Sequence, residues 1–350
     1  MSHIETVLFY IIPLGVSFGL TLIFSWWIRS IARRLDIVDA PNQARKIHKQ
    51  PTPLLGGVAL FIVLTTLTIV FWQSGWLTSD RIVAGDIWGL LFASLLIVIG
   101  GVLDDKYSLP AWQQFLWPLA AVVLVVAFGM RVDFISNPLG GIVALGPIMG
   151  IVVAFVWLLG MTYTTKVLDG LDGLVTGIGA IGALIIFIVS LSWNEPYSAV
   201  SVLSLTLAGT ALGFLVFNFH PASIFLGESG SLLVGFWLGM LSIIAGSKIA
   251  TTLLIMGIPI LDVAWVIVRR VFIERKSVSE GDRKHLHFRL LDLGWSQRRV
   301  VIFLYALTLL FGSVALWQDT TGKIVGLVVL VLVMFILGIS VVKKSSHRSV

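Results

Sequence analysis

The chain has 350 residues, of which 57% are hydrophobic and 12% charged, against roughly 25% charged in an ordinary soluble domain. That balance, with a mean hydropathy of +1.00, excludes a soluble enzyme and predicts an all-α polytopic membrane bundle, since a spanning helix satisfies its own backbone in lipid. The lack of cysteine excludes disulfide and thiolate chemistry, and the net charge of +6 is distributed as membrane topology and anion binding, with no nucleic-acid surface.

About eleven segments reach spanning length, which takes about 20 residues. In order they are Thr6–Ile28, Leu55–Trp72, Ile87–Leu103, Ala111–Met130, Gly146–Thr164, Leu171–Ser192, Ala199–Phe219, Ser231–Ala245, Ile249–Phe272, Val300–Trp317 and Ile324–Val342. The first thirty residues lack a basic start and a clear small-residue cleavage site, so the first segment is expected to be retained. No stretch between the segments is long enough to fold alone and no repeat stands out, so 1–350 reads as a single integral membrane domain.

Sorting Lys and Arg by loop parity gives twenty on one side and four on the other. The rich side takes six from Arg29 to Lys49, then Lys106, Lys166, nine from Arg269 to Arg299 and three from Lys343 to Arg348. The poor side has Arg81, Arg131, Lys248 and Lys323. By the positive-inside rule the rich side is cytoplasmic, with the amino terminus outside and the carboxyl terminus inside.

The acidic and imidazole motifs fall on that same side. Asp104 and Asp105 close the third segment in G-V-L-D-D-K-Y, and Asp169 and Asp172 open the sixth in L-D-G-L-D-G-L. Glu228 lies in L-G-E-S-G-S, and His285, His287 and Arg289 in H-L-H-F-R. The three-residue spacing of Asp169 and Asp172 places both on one face of a helix. The alternative is a polar turn with Gly170 and Gly173 as turn residues. Adjacent carboxylates repel, and magnesium, which takes one or two carboxylates plus substrate phosphates, relieves that repulsion. The small residues of G-E-S-G-S let backbone N–H groups approach a phosphate at a helix start. Two histidines amid Arg283, Lys284 and Arg289 suit an anion clamp better than zinc, which needs three or four ligands. The first cytoplasmic loop, P-N-Q-A-R-K-I-H-K-Q-P-T-P-L-L-G-G, has the prolines and paired glycines, Gly56 and Gly57, of a shaped loop. Acids for a metal and cations for phosphates on one membrane face suit phosphoryl transfer, and the membrane setting suggests that one substrate is a lipid.

Six stretches in order, R-K-I-H-K-Q-P-T-P-L-L-G-G, G-V-L-D-D-K, L-D-G-L-D-G-L, F-N-F-H-P-A-S-I-F-L-G-E-S-G-S, P-I-L-D-V-A-W-V-I-V-R-R and H-L-H-F-R-L-L-D-L-G, cover about residues 33 to 294. Together they resemble the bacterial polyprenyl-phosphate N-acetylhexosamine-1-phosphate transferases, glycosyltransferase family 4. The P-T-P-x-x-G-G and H-x-H-x-R-L forms look more like the branch that begins O-antigen, enterobacterial common antigen or teichoic acid synthesis than the phospho-MurNAc-pentapeptide branch. The resemblance implies transfer of GlcNAc-1-phosphate, or a related HexNAc-1-phosphate, from a UDP-sugar to undecaprenyl phosphate, releasing UMP. It further implies magnesium, with manganese as the alternative ion, and an active site on the inner face of the bacterial cytoplasmic membrane. The implied partners are UDP-N-acetylhexosamine, undecaprenyl phosphate and the bilayer, with a homodimer as the candidate assembly.

Carried over by position, Asp104 and Asp105 match acids near the lipid phosphate, and one of them is the candidate to deprotonate or orient it. Asp169 and Asp172 match acids near the nucleotide and metal, with Glu228 and Asp169 as implied metal ligands. Lys46, His48, Lys166, Asn218, His285, His287 and Arg289 are implied in substrate binding. The chain departs from the family pattern in carrying Glu228 for Asp, Lys166 and Tyr163 for Asn, and Phe288 for the last histidine of H-x-H-H. Gln114 and Pro118 stand where lysine and glutamine are common. The readings that compete are a phospho-MurNAc-pentapeptide transferase-like activity, a catalytically degenerate homologue that binds nucleotide-sugar or lipid, and a lipid or solute transporter. A transporter would place charges near the bilayer midplane and break its helices. Here the acids cluster at one edge, apart from Asp262, which follows Pro259 inside the ninth segment.

Overall fold

The computed structural model describes residues 3–41, 50–77, 82–137, 141–191, 198–246, 248–275 and 284–346. In chain order the helices are α1 (His3–Arg34), α2 (Gly56–Gln73), α3 (Ala84–Tyr107), α4 (Ala111–Ala127), α5 (Pro147–Leu168) and α6 (Leu174–Ser190). They continue with α7 (Ala199–Asn218), α8 (Gly227–Ile244), α9 (Ile249–Val268), α10 (Leu286–Asp292), α11 (Gln297–Trp317) and α12 (Thr320–Ser346). A π-helical turn, Arg269–Glu274, extends α9. Two antiparallel ribbons interrupt the all-α pattern. β1 (Val38–Asp39) pairs with β2 (Thr52–Pro53), and β3 (Phe134–Ser136) with β4 (Ile142–Ala144).

Among the described residues, nine helices are long and apolar enough to cross a membrane. The other two predicted segments fall on α4 and α6, apolar helices of 17 residues each. Seventeen residues rise about 26 Å, a little less than the roughly 30 Å hydrocarbon layer. The fold class is therefore an all-α polytopic membrane protein. Two boundaries matter for the site. α3 runs on to Tyr107, which puts Asp104 and Asp105 on its last turns. α6 begins at Leu174, three residues after the expected start, because Gly173 takes a left-handed conformation with φ +80.

α8 is the hub, with 89% of its apolar window buried, whereas the corresponding share of α12 is 6%. α8 packs against α2, α3, α5 and α6, and α12 lies outside against α9 and α11. Buried polar groups link the hub to its neighbours. Trp237 Nε1 of α8 donates to Ser94 Oγ of α3 at 3.0 Å, and Trp157 Nε1 of α5 donates to Ser242 Oγ of α8 at 2.8 Å. In α7, Gly209 and Gly213 lie against the backbone carbonyls of Leu14 and Phe18 in α1, where a Cβ would collide. Small residues allow such close helix approach in lipid, where packing replaces the hydrophobic drive.

Candidate active site

The site forms where the end of α3, the end of α5 and the starts of α2, α4, α6 and α8 meet at one end of the bundle. The first loop reaches it through backbone pairing. Phe225 N donates to Pro53 O at 2.8 Å, Gly56 N to Phe225 O at 3.1 Å and Gly57 N to Leu226 O at 2.9 Å. Gly57 lies against Ser229 and Gly230 with no space for a side chain, so the paired glycines let the start of α2 dock on the start of α8. Gly227 turns the chain into α8 at φ +72, and a Cβ there would stand 2.6 Å from Asp105 Oδ2.

This docking brings three acids together, Asp104, Asp105 and Glu228. Glu228 N, in the first turn of α8, donates to Asp105 Oδ1 at 2.9 Å. The other oxygen, Asp105 Oδ2, is buried and has no hydrogen-bond partner among the described residues. Glu228 Oε1 makes no hydrogen bond of ordinary geometry, but it forms an ion pair with the Lys166 ammonium from the end of α5. Lys166 Nζ also donates to Gln114 Oε1 at 2.8 Å. The amide of Gln114 then donates through Nε2 to Asp104 Oδ1 at 3.0 Å, and Leu109 N caps the same oxygen at 2.8 Å. A continuous polar chain thus runs Asp104–Gln114–Lys166–Glu228 and meets Asp105 at the Glu228 backbone. Two departures from the family pattern, Lys166 and Gln114, are hydrogen-bonded to each other.

Asp169 and Asp172 do not share a helix face. α5 ends at Leu168 and α6 starts at Leu174, so both acids sit in the intervening turn, as the alternative reading had it. Asp169 is pushed well above the usual carboxylate range by the surrounding protein and then by the charges of Glu228, Asp105 and Asp172. Its own surface is open, so water offsets much of the first effect, and the three neighbouring charges are what locate it in the acid cluster. Asp172 Oδ2 lies 2.8 Å from His220 Nδ1 and accepts from Ala222 N at 3.1 Å. Arg298 Nε donates to His220 O at 2.9 Å, fixing the same segment from α11.

Asn218 braces this turn from behind. It is buried, and its Oδ1 accepts from Gly173 N at 3.1 Å and Thr176 Oγ1 at 2.8 Å, while its Nδ2 donates to Ile224 O at 3.1 Å. Its Oδ1 and one of its two Nδ2 hydrogens hold L-D-G-L-D-G-L and the start of α6 against the chain that leads to Glu228. Tyr305 Oη donates to the Gly173 carbonyl from α11.

The H-L-H-F-R motif is anchored by an acid from inside α9. Asp262 Oδ2 lies 2.8 Å from His285 Nδ1, and Asp262 Oδ1 accepts from Leu286 N at 2.9 Å. His285 and His287 stack nearly parallel, with centroids 5.7 Å apart and an interplanar angle of 6°. His287 is 1% exposed. Burial lowers its pKa to about 4 against the pull of Asp262, with His285 adding to the lowering. It is therefore neutral at ordinary pH, and the expected anion clamp does not gain a fixed charge from it. Its Nε2 has no hydrogen-bond partner among the described residues, and Gly170 of the acid turn packs directly on that nitrogen. Lys284 pairs with Glu274 at 2.7 Å, and Arg289 Nε donates to Lys284 O at 2.7 Å.

Of the residues expected at the site, Asp104, Asp105, Lys166, Asp169, Asp172, Glu228 and His287 converge, with Asn218, His285 and Arg289 behind or beside them. Lys46, His48 and Arg283 lie outside the described residues. Asp262, His220 and Gln114 were given no role from sequence. The signal for Asp262 was a lone acid inside an apolar span, which is costly in lipid without a partner; its partner is His285.

Among the described residues no three acids or histidines are arranged to hold a metal by themselves. Glu228 Oε1, buried without an ordinary hydrogen bond and close enough to Asp169 for the two charges to interact, fits a hard oxygen-liganded cation that takes part of its shell from phosphates and water.

The glycosyl transferase family 4 model matches residues 87–246, which contain Asp104, Asp105, the acid turn and Glu228. The chain is 32% identical over 339 residues to the probable undecaprenyl-phosphate N-acetylglucosaminyl 1-phosphate transferase of Bacillus subtilis, covering 95% of this chain and 91% of that protein. It is 32% identical to the decaprenyl-phosphate N-acetylglucosaminephosphotransferase of Mycolicibacterium smegmatis, over 82% of this chain and 76% of that one. It is also 28% identical to the phospho-N-acetylmuramoyl-pentapeptide-transferase of Geobacillus thermodenitrificans, over 88% and 97%. The shared span runs through every motif that builds the acid cluster, and the chain belongs to glycosyl transferase family 4, among its polyprenyl-phosphate N-acetylhexosamine-1-phosphate transferases.

Proposed function

We propose that this protein transfers GlcNAc-1-phosphate, or a closely related HexNAc-1-phosphate, from its UDP-sugar to undecaprenyl phosphate with magnesium, releasing UMP. The activity named for the relatives from Bacillus subtilis and Mycolicibacterium smegmatis supports the reaction class. The observation that carries the reading for this chain is the junction at Glu228. There Asp105 accepts the Glu228 amide at 2.9 Å, and the polar chain through Lys166 and Gln114 reaches Asp104.

In this reading an oxygen of the lipid phosphate attacks the sugar-bearing phosphorus, the bond from that phosphorus to the UMP oxygen breaks, and UMP leaves with the electron pair. Asp105, with its unpaired oxygen, orients the attacking phosphate and takes its proton if it arrives as the monoanion. Asp104 is held by Leu109 N and Gln114 and keeps the end of α3 in register. Glu228 and Asp169 would hold a magnesium ion, which would neutralise charge on the phosphates. The start of α8 offers backbone N–H groups and a favourable dipole to the same anions. The H-L-H-F-R segment, held by Asp262, presents Arg289 to the nucleotide phosphates. Direct attack needs no covalent aspartyl intermediate, and the partners already engaged by Asp104 and Asp172 favour it.

The topology belongs to the same proposal: eleven spans, amino terminus outside, carboxyl terminus and active site cytoplasmic, in the bacterial inner membrane. The distribution of twenty basic residues against four supports it. The test uses the purified full chain with undecaprenyl phosphate, a panel of UDP-N-acetylhexosamines, and magnesium either added or chelated. UMP release with at least one donor, abolished by chelation, is the expected result. Folded protein that releases no UMP with any donor would overturn the proposal.

A further inference from the structure

Lys166 stands on the last turn of α5, and its ammonium is shared among neighbours that pull in different directions. It forms an ion pair with Glu228 and donates to Gln114 Oε1 at 2.8 Å. The Tyr163 ring centroid lies 6.0 Å away. The Lys166 and Glu228 side chains are 21% and 17% exposed, so water and salt screen their attraction less than they would at an open surface. An ammonium has three donors and no acceptor. It can cancel the charge of Glu228, but it cannot join that carboxylate in ligating a cation. A divalent ion that takes Glu228 as an oxygen ligand must therefore repel or displace the Lys166 ammonium. A diphosphate, by contrast, gives the same ammonium several anionic oxygens and stronger charge-assisted hydrogen bonds. The stem of lysine is long and flexible enough to change partners as a point charge.

Resting on the transferase reading above, we propose that Lys166 and the divalent cation compete for Glu228. The donor diphosphate resolves the competition by drawing the ammonium onto itself, so cation and nucleotide-sugar enter as a coupled pair. Gln114 holds the ammonium within reach of both positions, and its own bond to Asp104 keeps it fixed. Lys166 is thus a positioning residue for the cation and the donor. Linkage requires each ligand to strengthen the other by one common factor. The coupling would keep the acid cluster from loading a cation without its nucleotide.

The experiment measures Mn2+ affinity of the full chain in detergent by electron paramagnetic resonance, with and without UDP-GlcNAc and with no lipid substrate. The wild type should bind Mn2+ weakly alone and about tenfold more tightly with UDP-GlcNAc. K166M, which removes the charge without adding an oxygen ligand, should bind Mn2+ alone about tenfold more tightly than the wild type and lose most of the nucleotide effect. K166L serves as a second neutral variant without an oxygen ligand should K166M fail to fold, and K166R should keep the wild-type pattern. Equal or weaker Mn2+ binding by the neutral variants, or no Mn2+ binding by any form, overturns the inference. UMP release by the wild type is measured in parallel. Turnover with unchanged Mn2+ affinity in K166M defeats the coupling alone, whereas the Mn2+ pattern without turnover supports the coupling and defeats the proposed reaction.

Discussion

Asp262→Asn isolates the bond that holds H-L-H-F-R against the membrane core. The wild-type carboxylate can only accept, so the proton it shares with His285 at 2.8 Å sits on Nδ1, and in the neutral ring Nε2 is the acceptor. Asparagine can still accept from Leu286 N with its one oxygen, as Asp262 Oδ1 does at 2.9 Å. It then offers His285 an N–H donor instead of a charge. The ring must either leave a donor–donor clash or move its proton to Nε2, which inverts the polarity of the face it presents. A hydrogen bond to a charged group contributes about 1.5–3 kcal/mol, and 1.4 kcal/mol is tenfold. We therefore expect kcat/KM for the UDP-sugar to fall by about ten- to a hundredfold. The thermal midpoint should fall only slightly, because the volume and one of two bonds remain. Asp262→Ala loses both bonds and should cost more on both counts. The assay is UMP release across donor concentrations, beside a melting curve in the same detergent. Wild-type kcat/KM in well-folded D262N would refute the view that this acid sets the motif's chemistry.

Three further outcomes follow from the same geometry. Glu228→Gln keeps the shape of the side chain but removes the charge that pairs with Lys166, so turnover should fall at least about a hundredfold. Glu228→Asp should retain measurable activity, and equal rates for the wild type and E228Q would remove Glu228 from the site. Asn218→Ala removes three buried hydrogen bonds, to Gly173 in the acid turn, Thr176 in α6 and Ile224 before α8, and should destabilise the fold by about 2–4 kcal/mol, read as a lower denaturation midpoint; an unchanged midpoint would contradict its bracing role. His287 has a folded pKa of about 4 against 6.5 for a free imidazole, so between those values the unfolded chain binds more protons. Stability from this group is then fully present above pH 6.5 and is lost as pH falls toward 4, by an amount on the order of a few kcal/mol. Melting curves should show that slope in the wild type and a shallower one in H287L, and identical slopes would contradict the buried neutral imidazole.

The membrane bundle was readable because lipid imposes one strong rule on composition. Among the described residues, nine of the apolar segments register as helices long and apolar enough to cross a membrane, while those at α4 and α6 form helices of 17 residues. The acid cluster was also readable, since each motif marks a segment end on the basic side. The local shape of L-D-G-L-D-G-L was harder. Three-residue spacing fits a helix face, yet Gly173 at φ +80 breaks the helix, and nothing in the spacing reveals which conformation wins. Partnerships across long separations were least visible. Asp262 reaches His285 over 23 positions, Asp172 reaches His220 over 48, and Lys166 reaches Gln114 over 52. No local pattern encodes such pairs. Asp262 stood out as an acid inside a span, but its partner came only from the fold. The sequence places Asn218 in a motif but not its partners, Gly173, Thr176 and Ile224, which only the fold brings to it.

The proposed reaction moves a sugar together with its phosphate onto a lipid phosphate at the acid cluster. The most direct measurement follows label from UDP-GlcNAc carrying 32P in the sugar-linked phosphate, incubated with the purified chain, undecaprenyl phosphate and magnesium. Label is expected in the lipid fraction, with unlabelled UMP in the aqueous phase in equal amount, and neither product after chelation. Label leaving as UDP, with the sugar alone on the lipid, would rule out transfer of the sugar phosphate, as would folded enzyme that labels no lipid from any UDP-N-acetylhexosamine.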